Sequence, residues 1–206
     1  VETGVLYPPV SGEFSPVPYG KRETGFVCIG RIIPEKGIET IVEILARVRD
    51  RGHNVHLHVV GGAESNSPYA DNLQQKLQDL YPDWVFFEGR VDEGNKNELI
   101  WNHRFGISGR QNEPFGIAVA EMVKAGCIVF VPDNGGQVEI VNHPDLVYQD
   151  VPDAVERIDK VLSSPESQDS LREHLSLGAQ EFSVEAFQQG IMNVVSDFFK
   201  AAGHDE

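Results

Sequence analysis

The sequence predicts an α/β protein built on one doubly wound parallel sheet. From residue 24 onward, short apolar runs alternate with longer segments that repeat apolar residues at helical spacing. This alternation is typical of a parallel sheet whose two faces are covered by helices. Apolar residues make up 40% of the chain and charged residues 24%, which is ordinary for a globular domain.

The predicted elements follow in a regular order. We predict strands within 25–30, 55–62, 84–91, 105–109 and 126–136, with a short sixth strand at 145–149. We predict helices at 38–50, 67–80, 95–102, from Glu113 onward, after Gly136, and at 151–163, 166–179 and 183–202. The first helix shows the pattern most clearly, because Ile38, Ile41, Val42, Leu45 and Val48 fall on one face. Five or six such strands make a single domain.

Residues 1–23 are rich in proline, glycine and serine, so we expect a linker ahead of one domain at 24–206. The chain begins without methionine, and we expect it to be a piece of a longer protein. No apolar run reaches the roughly 18 residues of a membrane span, and the start does not resemble a signal peptide. Cys28 and Cys127 lie in apolar runs, as buried thiols of a reducing, cytoplasmic protein would.

The formal net charge of −15 argues against nucleic acid as a partner. The basic residues and glycines are nevertheless concentrated where predicted strands end. The residues at these five positions are Arg31, Gly61 with Gly62, Gly89 with Arg90, Ser108 to Arg110, and Asp133 to Gly136. Ligands of such sheets bind at the C-terminal ends of the strands. The clustering therefore indicates an anion pocket.

Arg31 and Lys36 flank the turn after the first strand. Together they offer a planar fork of donors and a point charge, a pair suited to a diphosphate. The alternative is that Lys36 is a solvated turn residue and Arg31 pairs with a surface carboxylate. The turn is neither a GxGxxG nor a GxxxxGK[ST] loop, so neither dinucleotide nor P-loop binding is indicated.

The segment EPFGIAVAE places Glu113 and Glu121 eight residues apart. Pro114 favours a helix start at this point, which would leave the backbone N–H groups of residues 115–117 free for a phosphate. On a regular helix the two glutamates would be about 12 Å apart, beyond the about 5–9.5 Å of a glycosidase pair. We therefore expect them to hold two parts of one ligand rich in hydroxyl groups. The alternatives are an acid placed favourably at a helix start and a partly exposed helix residue.

The seven histidines show no paired metal-ligand spacing. His56 and His58 alternate along one strand and are expected to face the same side of it. The strand-end turns contain no DxD pair. We predict no metal site and no cofactor.

Six segments occur in an order that identifies a family resemblance. They are GRIIPEKGIE, VVGG, FEGRV, EPFGIAVAE, AGCIVFV and GGQVEIV, spread over residues 30–141. Together they resemble the C-terminal, Rossmann-like, donor-binding domain of family 4 retaining glycosyltransferases of the two-domain GT-B fold. EPFGIAVAE is similar to that family's E-x7-E motif.

The resemblance implies a role for each matching residue. Arg31 and Lys36 would contact the diphosphate of a sugar nucleotide, and Glu113 would face the transferred sugar. Glu121 would accept both ribose hydroxyls, so a ligand would supply the partners of a carboxylate in an apolar stripe. The backbone around Arg90 and Val91 would edge the base, and the backbone of Phe115, Gly116 and Ile117 would lie near the sugar and phosphates. Gly61 is also expected to bind the substrate.

The chain departs from the family pattern in two places. Ser108-Gly109-Arg110 stands where the family usually has Pro-Ser, so Arg110 either joins the pocket or folds away. We expect the N-terminal domain that binds the acceptor to lie outside this chain.

The implied reaction is retaining transfer of a hexosyl group to a sugar or lipid-linked acceptor, as in polysaccharide biosynthesis. UDP-glucose is the first expectation for the donor, and GDP-mannose stays open. We expect the isolated chain to bind donor without turnover. The alternatives are a nucleotide-sugar epimerase, a non-catalytic module that binds sugar nucleotides, and an interaction domain without a ligand.

Overall fold

A computed structural model describes residues 5–10 and 17–201. Its sheet has six parallel strands in the order β3-β2-β1-β4-β5-β6. The strands are β1 (Glu23–Ile29), β2 (Leu57–Val60), β3 (Val85–Gly89), β4 (His103–Ile107), β5 (Ile128–Pro132) and β6 (Val147–Tyr148). The predicted fold class and the sixth strand are confirmed.

The described residues also form eight α-helices. They are α1 (Ile38–Asp50), α2 (Pro68–Leu80), α3 (Glu93–Asn102), α4 (Ile117–Lys124), α5 (Gln137–Val141), α6 (Val151–Leu162), α7 (Pro165–Gly178) and α8 (Val184–Ala201). Several helix starts are encoded locally. The side chains of Ser67, Asp92 and Asp150 each accept a hydrogen bond from a backbone N–H of the first turn. The predicted end of the last helix, at residue 202, lies outside the described residues.

Three phenylalanines at the centre of the sheet align the strands that carry the site. Phe26, Phe105 and Phe130 lie on β1, β4 and β5 and are fully buried. The ring centroids of Phe26 and Phe105 are 5.1 Å apart, and those of Phe26 and Phe130 are 6.2 Å apart. Burial of each side chain contributes about 1.5–3 kcal/mol. This packing holds the three strands in position relative to one another, and so also the loops that leave them.

The strand order reverses between β1 and β4. In doubly wound sheets this switch point opens a crevice at the C-terminal ends of the two strands. The loops that leave the strands touch across it, since a Cβ on Gly37 would lie 2.5 Å from the carbonyl oxygen of Gly109. Gly37 also has a φ of 62°. A side chain at this position would push the two walls of the crevice apart.

Part of the predicted linker packs on the domain. The backbone N–H of Val10 donates to the carbonyl of Phe182, 2.9 Å away, and the Val10 side chain is buried. The ring of Tyr7 contacts Phe115 and Phe182. Residues 1–4 and 11–16 of the predicted linker lie outside the described residues, so the boundary at residue 24 stays a prediction. Among the helices that the structure describes, none is long and apolar enough to cross a membrane.

Candidate functional site

A cavity of about 440 Å³ opens at the C-terminal ends of β1 and β4, and an arm of about 190 Å³ extends it toward β2 and β3. The two share Ile29 and Gly30, and we call them together the central groove. Its walls come from the ends of β1 and β4, the residues around Lys36, the segment 113–122, and the loops after β2 and β3. The larger cavity lies within the range of about 300–1,000 Å³ that is typical of ligand sites.

All ten sequence-predicted site residues line the central groove. Lys36, Glu113, Phe115, Gly116, Ile117 and Glu121 line the larger cavity, and Arg31, Gly61, Arg90 and Val91 line the arm. The predicted roles of the individual residues stay predictions, but their convergence on one surface is a property of the fold.

Glu113 is held between two cations. Its Oε2 atom lies 3.2 Å from Lys36 Nζ and 3.3 Å from Arg110 Nη1. All three side chains are at most 30% exposed. Arg110 therefore reaches a carboxylate of the groove, although it does not itself line either cavity. Two cations on one carboxylate leave excess positive charge at this end of the groove.

Two buried side chains hold the loop that carries Arg110. The Gln137 amide donates from Nε2 to the carbonyl of Arg110, at 2.7 Å. The hydroxyl of Tyr148 donates to the carbonyl of Ser108, at 2.5 Å. Gln137 is completely buried and Tyr148 is 2% exposed. Neither residue was predicted, because nothing local marks a helix glutamine or a short-strand tyrosine as a loop anchor.

The predicted helix start at Pro114 is wrong. Helix α4 begins at Ile117, after Gly116 with a φ of 105°. Glu113 instead bridges Gly135 like a strand residue, and its carbonyl accepts a hydrogen bond from the Gly136 N–H at 2.8 Å. This pairing holds the backbone extended at Glu113, so the helix begins only after the left-handed turn at Gly116.

The first turn of α4 nevertheless faces the groove. Ile117, Ala118 and Val119 line the cavity, and the start of the helix has no side-chain cap. The first N–H groups of a helix have no partner inside it and carry partial positive charge. The backbone N–H groups left free at the start of the helix are therefore those of residues 117–119 rather than 115–117.

Glu121 has a protein partner that the sequence did not reveal. Its Oε1 atom lies 2.9 Å from Nζ of Lys96 on α3, and both side chains are less than a fifth exposed. Burial lowers the pKa of Lys96, but hydrogen bonds to Glu121 and Glu93 outweigh it and hold that pKa above its usual value. The expectation that only a ligand would supply partners to Glu121 is therefore wrong. In the sequence, the only signal for Lys96 is that it is the first basic residue of the helix that follows the third strand.

Arg31 pairs with a carboxylate at the surface. Its Nη1 atom lies 3.0 Å from Glu64, and the two side chains are 63% and 70% exposed. This is the surface pair named as the alternative. Such pairs are weak, so Arg31 can exchange Glu64 for a ligand that enters the arm.

Cys28 lies on the floor of the groove but is chemically inert. Burial raises the pKa of its thiol to about 12, and nearby Lys36 only partly opposes this effect. The thiol is therefore protonated at neutral pH and is a poor nucleophile. The prediction that both cysteines are buried is confirmed.

The sequence of the chain is similar to a known family and to curated proteins. The family model described as "Glycosyl transferases group 1" matches residues 14–176. The chain is 33% identical over 135 residues to a GDP-mannose-dependent alpha-(1-6)-phosphatidylinositol monomannoside mannosyltransferase of Mycobacterium tuberculosis, covering 60% of the chain and 33% of that protein. It is 32% identical over 158 residues to the Neurospora crassa GDP-Man:Man(3)GlcNAc(2)-PP-Dol alpha-1,2-mannosyltransferase, covering 68% of the chain and 28% of that protein.

The fold matches solved structures over most of the chain. The crystal structure of Anabaena Alr3699/HepE in complex with UDP and glucose superposes with a TM-score of 0.74 at 20% identity. The match covers 87% of this chain and 49% of that one. The chain therefore spans about a third of the length of the curated relatives and about half of this solved chain.

Proposed function

Because the chain belongs to the glycosyl transferases group 1 family, we propose that it is the donor-binding domain of a family 4 retaining glycosyltransferase. The observation that carries this proposal is the central groove at the switch point. In a chain with a net charge of −15, Lys36 and Arg110 pair with Glu113 and Lys96 pairs with Glu121, while Arg90 lines the arm. Such a surface suits a ligand that carries a diphosphate and several hydroxyl groups.

The diphosphate would lie at the first turn of α4. The N–H groups of residues 117–119 and the ammonium of Lys36 line the same cavity, and helix starts favour phosphate. Arg31 would turn from Glu64 to the phosphates. These groups would stabilise the negative charge that develops on the diphosphate as it leaves, which is a preorganised electrostatic role.

The two carboxylates would hold the two ends of the donor. Lys36 and Arg110 bond Oε2 of Glu113, so Oε1 can accept a hydrogen bond from a hydroxyl of the transferred hexose. Lys96 occupies Oε1 of Glu121, so Oε2 can accept from the ribose. The base would lie in the arm beside Arg90, Val91 and Gly61.

We propose a nucleoside diphosphate hexose as the donor, with GDP-mannose the first candidate. Both curated relatives described above are named for that donor. The solved structure with UDP and glucose matches at 20% identity and supports the fold alone. UDP-glucose, the expectation from the sequence, therefore takes second place.

We propose further that a second domain, outside this chain, binds a sugar or lipid-linked acceptor. The chain covers only 33% and 28% of the curated relatives. The isolated chain should bind donor with little or no turnover. The domain at 24–206 should be sufficient for this binding.

Calorimetry with GDP, UDP, ADP, GDP-mannose and UDP-glucose tests the proposal. Wild type should bind one nucleotide series preferentially. Lys36→Ala should weaken that binding by about 10–100-fold, because a charged hydrogen bond contributes about 1.5–3 kcal/mol. Glu121→Gln should weaken binding of the free nucleotide as much as binding of the sugar nucleotide, because the proposed contact of Glu121 is with the ribose, which both ligands contain.

The matched control is Lys160→Ala. Lys160 pairs with Asp145 on the surface and is 62% exposed. Its loss should leave donor binding unchanged. If neither nucleotide series binds wild type, or if Lys36→Ala and Lys160→Ala bind alike, the proposed donor site is wrong.

A further inference from the structure

Three histidines meet in a second cavity, on the face of the sheet beside α3. His56 and His58 come from β2 and the residues before it, and His103 opens β4. One ring nitrogen from each lies within 4.8 Å of the other two. His103 is buried, and the side chains of the other two are about a fifth exposed. We call this cluster and the cavity that His58 and His103 line the histidine cavity.

Two of the three rings have one nitrogen held by a hydrogen-bond acceptor. Nδ1 of His103 lies 2.6 Å from the carbonyl of Leu99, and Nδ1 of His58 lies 2.6 Å from Oε1 of Glu88. Both partners can only accept, so each Nδ1 carries the hydrogen and each Nε2 keeps its lone pair. Metal-binding histidines nearly always have such an oriented second nitrogen.

Two ligand atoms are already close to the required spacing. Nε2 of His56 and Nε2 of His103 are 3.0 Å apart. A tetrahedral zinc ion with Zn–N bonds of about 2.0–2.1 Å holds its nitrogens about 3.3 Å apart. In the absence of metal, one proton bridges this pair. A tautomer shift in His56 would move that proton to Nδ1 and free both lone pairs.

The surroundings favour a cation. Glu23, Glu88 and Glu98 line the cavity, and its lining within the described residues includes no lysine or arginine. The opposing charge of Arg49, which acts on His56, comes from outside this lining. Glu23 Oε2 lies 3.5 Å from Nε2 of His56, within reach of a fourth ligand position. Gly25 makes room for the cluster, because a Cβ at that position would lie 2.2 Å from Nε2 of His56.

We propose that His56, His58 and His103 bind one Zn²⁺ ion, or a similar borderline divalent metal, with Glu23 or water as the fourth ligand. The sequence predicted no metal site because His103 comes from a different strand and shows no local spacing to the other two. Three imidazoles favour zinc over Mg²⁺ or Ca²⁺, which prefer oxygen.

The role of the ion would be structural. Its ligands lie on β2, β1 and β4, which are neighbours in the sheet, and the His103 ring is bonded to Leu99 of α3. Glu23 and His103 begin their strands, whereas the central groove lies where the strands end. The ion would tie α3, which carries Lys96, to the sheet without contacting a ligand in the groove.

The test uses the whole, tag-free chain stripped of metal by a chelator. Zinc titration should show one site by calorimetry, and saturation at 100 times the Kd should raise Tm by about 5–10 °C. Mg²⁺ should do neither. X-ray absorption of the zinc-loaded wild type should show three imidazole nitrogens. An all-oxygen or sulfur-containing shell, or no zinc binding, would overturn the proposal without reliance on any variant.

Variants then locate the site. His56→Asn and His58→Asn should each weaken zinc binding by more than about 100-fold, and Glu88→Gln by about 10-fold through loss of orientation. His143→Asn is the matched control, because His143 lies beside His174 in a separate pair and asparagine can still accept the Asp145 N–H. Equal zinc affinity in His58→Asn and His143→Asn would place the ion elsewhere and contradict the proposal.

Discussion

The central groove lies at the C-terminal ends of the strands, and the histidine cavity lies on the face of the sheet beside α3. The two share Val91 as a wall but have opposite electrostatic character. In the groove, Glu113 and Glu121 are each bound by cations, and further basic residues line the arm. In the histidine cavity, carboxylates surround imidazoles. β2 connects the two regions, with His58 on its face and Gly61 just beyond its end.

This contrast shows why net charge says little about a particular site. A chain with 32 acidic and 17 basic residues still builds a positive groove, because the loops at the strand ends place its cations side by side. The acidic residues that are in surplus elsewhere include those that line the histidine cavity, which makes it suited to metal cations. Charge therefore has to be judged site by site over about one Debye length, near 8–10 Å at physiological salt.

The largest expected effect comes from Gly61→Ala, which should disrupt the groove and spare the histidine cavity. Gly61 has a φ of +143°, and a Cβ there would lie 2.0 Å from the carbonyl oxygen of Gly30. Backbone strain should cost about 1–3 kcal/mol, and the collision with Gly30 should cost a similar amount. We expect urea unfolding to show a loss of about 3 kcal/mol or more, with donor binding abolished.

Gly52→Ala separates the two causes. Gly52 has a φ of +99°, but a Cβ there would meet nothing within 4 Å. Only the backbone strain should lower the free energy of unfolding, by about 1–2 kcal/mol, and donor binding should persist. Equal losses in the two variants would mean that the contact with Gly30 does not constrain the groove. Loss of zinc binding in Gly61→Ala would mean that the two regions are not independent.

The difference between the regions also explains what the sequence could predict. Arg31, Gly61 and Arg90 lie within two residues of the ends of their strands, so the order of elements was enough to bring these three to one surface. Helix periodicity could not locate the start of α4, because the extended backbone at Glu113 depends on its pairing with the distant Gly135. The cluster of His56 and His103 depends on strand order and the register between chain segments, which local spacing does not encode.

The next largest effect tests the ion pair between Lys96 of α3 and Glu121 of the groove. Lys96→Met leaves the mostly buried Glu121 carboxylate without its ammonium partner, and we expect it to lower the free energy of unfolding by about 2 kcal/mol. Glu121→Gln leaves Lys96 with Glu93, 3.1 Å away, and should cost only about 1 kcal/mol. Urea unfolding of both variants measures this asymmetry.

The double variant Lys96→Met/Glu121→Gln completes the cycle. Its loss of stability should be smaller than the combined loss of the two single variants, because no charge is left unpaired. Additive losses would show that Lys96 and Glu121 do not interact in solution. Zinc binding should be unaffected, since the ligands of the histidine cavity do not include Lys96. A weaker zinc site in Lys96→Met would mean that the charge of the groove reaches the cavity.

The smallest effect on stability belongs to Arg31→Gln, which separates a surface ion pair from a ligand contact. Exposed pairs such as Arg31 with Glu64 contribute little, so unfolding should change by less than about 0.5 kcal/mol. Donor binding should nevertheless weaken about tenfold, because Arg31 would exchange Glu64 for phosphate. Arg47→Gln is the control, since Arg47 pairs with Glu43 on α1 at similar exposure. If the two variants bind donor equally well, Arg31 belongs only to the surface, and the positive end of the groove is built by Lys36 and Arg110 alone.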